Sequence, residues 1–126
     1  MKTLQESTDL DNCRWIEVPK MIFGDWLLVW SECEVDYQGS ARALLAKADE
    51  FVVVEWWWGS CSGCDAYEDL PEAEVRAEFE KDAMRFRDLA TLRAWFAMLD
   101  STGKASHVAG MVAAVDTMLA SDPSPG

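Results

Sequence analysis

The chain of 126 residues carries one histidine, two tyrosines and four prolines, and only eleven lysines and arginines against 23 aspartates and glutamates. The single histidine, His107, lies beside Val108 in a helical stretch and reads as a structural residue rather than an acid–base catalyst. No Gly-x-x-x-x-Gly-Lys, Gly-x-Gly-x-x-Gly or Gly-x-Ser-x-Gly occurs, so no motif points to a phosphate loop, a dinucleotide fold or a nucleophile elbow. No apolar run reaches the roughly 18 residues of a membrane span; the longest, Phe51-Val52-Val53-Val54, is cut off by Glu55. Met1-Lys2-Thr3-Leu4-Gln5-Glu6 has no apolar stretch behind its lysine and does not read as a secretory signal. A cytoplasmic protein is the expectation. The shortage of bases argues against direct binding of nucleic acid.

Apolar residues make up 50% of the chain and seven residues are tryptophan, the composition of a packed globule with one core. Residues 1–12 are polar and aperiodic and read as a flexible lead-in. Residues 13–120 read as a single domain. Residues 121–126, with Pro123 and Pro125, read as a disordered tail. The net charge is −12, and it is local: Asp49 to Asp82 holds eleven acids against Arg76 and Lys81, a net of −9. Such a field suits solubility, and it also suits a partner with a basic surface.

The period-2 pattern of Asp25–Glu34 predicts a strand with Trp26, Leu28 and Trp30 on one face and Leu27, Val29 and Ser31 on the other. Asp36-Tyr37-Gln38-Gly39 reads as a turn, with Asp first and Gly fourth. Phe51–Trp58, rich in Val and Trp, is a second strand. Val52, Val54, Trp56 and Trp58 share one face; Phe51, Val53, Glu55 and Trp57 share the other. Ser40–Ala48 has the propensity of a helix but lies between two turn signals, and completes a three-stranded antiparallel meander. From Asp69 the period changes to helical. Asp69 with Glu72 resembles a capping box, and Val75, Phe79 and Ala83 form a stripe. Asp88 and Ser106 are candidate caps for two further helices, with stripes through Leu89, Leu92, Phe96 and Leu99 and through Val108, Met111, Val112 and Val115. The expected fold is α+β, a three-stranded antiparallel meander followed by about three helices covering one sheet face.

Trp58-Gly59-Ser60-Cys61-Ser62-Gly63-Cys64-Asp65 is the most distinctive stretch. The Cys61-x-x-Cys64 spacing lets two thiolates bite one metal such as zinc, with Cys13, Cys33, His107 and Asp65 as the residues available to complete the site. It also suits a redox pair at a helix start, a disulfide, or two small buried hydrophobes in a turn that Gly59 and Gly63 permit. Asp65, Glu68, Asp69 and Glu72, spaced by three and four, suit either a divalent ion or the ordinary acid preference of a helix N-terminus.

Aromatic-Gly-Ser-Cys-x-x-Cys-Asp, here Trp58 to Asp65, resembles a motif of small uncharacterised phage and prophage proteins. In these an aspartate–tyrosine–glutamine–glycine turn, here Asp36–Gly39, precedes two short strands, and a segment like Arg85-Phe86-Arg87-Asp88-Leu89 follows a helix. The resemblance covers about residues 24 to 100. It implies a phage origin and supports a strand over 40–48; it implies no activity and no catalytic residue. The expected function is therefore that of an acidic, non-enzymatic binding protein in the host cell. Such a protein would inhibit or modulate a host defence or nucleic-acid-processing protein by occupying its basic surface, in the manner of a nucleic-acid mimic. The residues expected to carry it are Asp65, Glu68, Asp69, Glu72, Glu74, Glu78, Glu80 and Trp57, the last on a sheet face that helices, a partner or a second copy of the chain must cover. The alternative is a small zinc or thiol protein using Cys61 and Cys64. No other cofactor and no membrane contact are expected.

Overall fold

The valine- and tryptophan-rich run is the centre of the structure, a computed structural model that describes residues 1–35, 39–59, 70–101 and 105–121, with the backbone alone at 105–107 and 121. The elements run α1 (Glu17–Phe23), β1 (Leu27–Val35), β2 (Gly39–Lys47), β3 (Glu50–Trp58), α2 (Glu72–Asp82), β4 (Met84–Phe86), α3 (Leu89–Ser101) and α4 (Ala105–Ser121). The strands form one antiparallel sheet in the order β1-β2-β3-β4. The segment 40–48, whose propensity is divided, is a strand because both its neighbours offer it a complete ladder. Ala41 lies opposite both Cys33 and Trp56, and Leu45 opposite both Leu28 and Val52. Ala48 and Asp49 close the β2–β3 hairpin between Lys47 and Glu50, and Ala48 takes a φ of 55° to do so.

The sheet is α+β as expected, with a fourth strand and, among the described residues, four helices. The helices do not lie on one face. Val52, Val54, Trp56 and Trp58 pack with α1, α2 and the N-terminal residues; Phe51 and Val53 pack with α3 and α4. Leu44, Leu45, Val52 and Val53 show no exposure at all, and each such burial contributes about 1.5–3 kcal/mol. Both faces of β2 and β3 are apolar over most of their length, so a single helical layer would leave one of them in water.

Two expectations for the N-terminal third are corrected. Residues 1–12 are not a loose lead-in: Leu4, Ser7 and Leu10 are buried, Thr3 bridges to Leu27, and the Leu28 amide donates to the Lys2 carbonyl at 2.9 Å. Thr3 and Glu6 cap each other, Thr3 N donating to Glu6 Oε1 at 3.1 Å and Glu6 N to Thr3 Oγ1 at 3.2 Å. The Thr3 amide and hydroxyl, both donating to Glu6 Oε1, hold that carboxyl below its ordinary value. Trp26, Leu28 and Trp30 also do not share a face. A bulge between Leu28 and Trp30 adds one residue to β1, so the alternation flips and Trp30 joins the α3–α4 core while Trp26 and Leu28 stay in the other.

Cys13 and Cys33 are joined in a disulfide, with Cα atoms 6.4 Å apart. The bond ties the N-terminal layer to β1. Beside it the buried Trp56 indole donates to the Arg14 carbonyl at 2.8 Å. The Asp36–Gln38 part of the expected turn lies outside the described residues, as do Thr102–Lys104 and the tail 122–126. α4 is described from Ala105, and the Ser106 side chain, the other candidate cap, lies outside the described residues. Asp88 does cap α3: Thr91 N donates to its Oδ1 at 2.8 Å and Thr91 Oγ1 at 2.6 Å.

Candidate binding surface

Helix α2 carries the densest described acids, and its buried side chains decide where they point. Val75 and Phe79 face the core. With 3.6 residues per turn, the neighbouring rows on either side are Glu72–Arg76–Glu80 and Glu74–Glu78–Asp82, each spaced i, i+4, i+8. The four glutamates of α2 among the residues expected to carry binding are therefore split between two rows. Glu72 and Glu80 flank a cation, whereas Glu74 and Glu78 continue into a third carboxylate, Asp82, with Lys81 on their solvent side. Asp65, Glu68 and Asp69, and with them Cys61 and Cys64, lie outside the described residues.

Asp82 leads to a second acidic region that the sequence reading did not single out. On the sheet face shared with α3 and α4, strand register sets side chains in rows. Trp30, Leu44 and Val53 form an apolar row beneath the helices. The next row is Glu32, Arg42 and Glu55, and the one beyond it Glu34, Ser40 and Trp57. These two polar rows line a shallow cavity of about 390 Å³ that Asp82 closes at the β3 edge. Four carboxylates thus stand around one cation. Arg42 Nε donates to Glu55 Oε1 at 2.8 Å, and both groups stay partly exposed. Trp57 is 50% exposed, on the face expected for it. Alternating charges in β1 were the available signal; the positions that meet across three strands are set by register alone.

These carboxylates are spread rather than gathered. Among the described residues no group of three or more His, Cys, Asp or Glu side chains is placed to hold a metal ion. The zinc reading also loses two of its four completing residues, because Cys13 and Cys33 are bonded to each other. No described helix is long and apolar enough to cross a membrane. Comparison with protein-family models, with curated proteins and with solved structures finds no match.

Proposed function

We propose that this chain is an acidic binding protein that engages a basic surface of a host protein. The observation that carries this reading is the continuity of the Glu74–Glu78–Asp82 row of α2 with the open, carboxylate-lined rows of the sheet. In a chain of net charge −12, carboxylates then run from α2 round the β3 edge to the polar rows of the sheet, where they speed encounter with a cationic partner and repel nucleic acid. The resemblance to phage-encoded proteins makes a defence or nucleic-acid-processing protein of the host the natural target. A carboxylate row of this kind competes for a groove that otherwise holds phosphates.

Retention of host-lysate proteins on the immobilised chain tests the reading. Glu74→Lys/Glu78→Lys should lower retention at least tenfold, as should raising salt to about 0.5 M. Glu72→Lys/Glu80→Lys should have the smaller effect. Retention indifferent to both salt and the first pair would refute it. The zinc or thiol alternative is separated by metal analysis together with Cys61→Ser/Cys64→Ser in the same assay; unchanged retention favours the electrostatic reading.

A further inference from the structure

The polar half of the sheet face has a shape as well as a charge. Ser40 lies between Glu34 on β1 and Trp57 on β3. Two strand spacings separate the outer pair, about 10 Å between Cα atoms. A serine fills little of that width, so the row is a notch with a carboxylate on one wall and an indole on the other. At its inner end Arg42 Nε donates to Glu55 rather than to Glu34. The hydrophobic contacts of α3 and α4 on this face reach Trp30, Leu44 and Val53, and no described residue of either helix lines the cavity over the polar rows.

We propose that this notch takes an arginine side chain of the partner, its guanidinium stacked on the Trp57 indole and hydrogen-bonded to the Glu34 and Glu55 carboxylates. The proposal rests on the binding reading above and names the group recognised. Charge complementarity selects a cation over a phosphate, because the lining carries a carboxylate excess. The half-exposed indole selects a planar, weakly hydrated cation over an ammonium. A guanidinium can lie flat on a ring while its in-plane N–H groups reach carboxylates to either side. Ser40 contributes by being small.

Titration of the full chain with capped tetra-arginine and tetra-lysine peptides by calorimetry at about 50 mM salt tests it. Tetra-arginine should bind about fivefold or more tighter than tetra-lysine. Trp57→Ala should weaken tetra-arginine about tenfold and remove the preference. Ser40→Phe, which keeps every charge and fills the notch, should do the same. Glu74→Lys/Glu78→Lys should weaken both peptides alike and keep the preference. Unchanged thermal melting of the two notch variants confirms that they fold. Equal binding of the two peptides, an unaffected Trp57→Ala, or no binding of either peptide each overturns the notch. Retention of host protein that still depends on Glu74 and Glu78 would then leave the broader reading standing.

Discussion

Replacing Gly39 by alanine isolates one packing constraint. A Cβ built on Gly39 would lie 2.0 Å from Trp58 Cζ2 and 2.2 Å from Cε2. Gly39 and Trp58 face each other across the β2–β3 ladder, so the indole lies flat over the glycine. Trp58 is only 7% exposed and packs in the α1–α2 core, where a whole ring rather than a flexible tip must give way. Overpacking of this kind costs about 1–3 kcal/mol, partly offset by about 0.4–1 kcal/mol from the stiffer unfolded chain. The net loss is about 1–2 kcal/mol, which lowers Tm by about 3–8 °C in a domain of this size. Urea and thermal melts followed by near-UV circular dichroism measure it. A double-mutant cycle identifies the cause: in a Trp58→Leu background the alanine should be tolerated, with a coupling of at least about 1 kcal/mol. A glycine needed for its backbone angle would show no such rescue. Gly39→Ala melting with the parent would refute the clash itself.

Ala48→Gly should raise stability by up to about 1 kcal/mol, since a φ of 55° strains any residue with a Cβ; chemical denaturation reads the shift in midpoint. Reducing Cys13–Cys33, whose partners are 20 residues apart in sequence, should remove about 3 kcal/mol, and Cys13→Ser should melt alike with or without reductant. Asp88→Ala should lower Tm by a few degrees at pH 7 through loss of the α3 cap. Hydrogen bonds from Thr91 hold the Asp88 carboxyl below its ordinary value. Its contribution is therefore complete above the usual aspartate range and lost as pH falls through the lowered pKa, so the gap between variant and parent should close in acid.

β1 and β3 are readable because alternation and Val/Trp content agree in them, whereas β2, with neither valine nor tryptophan, is readable only from the turn signals on either side. α3 is readable because a stripe and an aspartate cap coincide. α1 is hidden by its seven residues and by Pro19, and β4 by having only three. The N-terminal cover did leave a signal, the Thr3-x-x-Glu6 capping pattern, but its leucines gain meaning only from the sheet they touch. The bulge in β1 breaks the alternation from which faces are read, so Trp30 is misplaced by any strict period of two. On α2 the division of the acids follows from Val75 and Phe79 by spacing alone, and counting charge over the segment conceals it. The notch is not visible at all in one dimension: Glu34, Ser40 and Trp57 belong to three strands, and only the registers put them in one row.

The N-terminal cover has a consequence for synthesis. Leu4 and Leu10 pack in one core with Val52, Val54 and Trp56, which a ribosome adds more than forty residues later. At about 5–20 residues per second, those leucines wait some seconds without the surface that shelters them. The newborn chain has to stay in solution meanwhile on the strength of its carboxylates, so the same acidity that suits a basic partner also keeps the unfinished polypeptide apart from its copies.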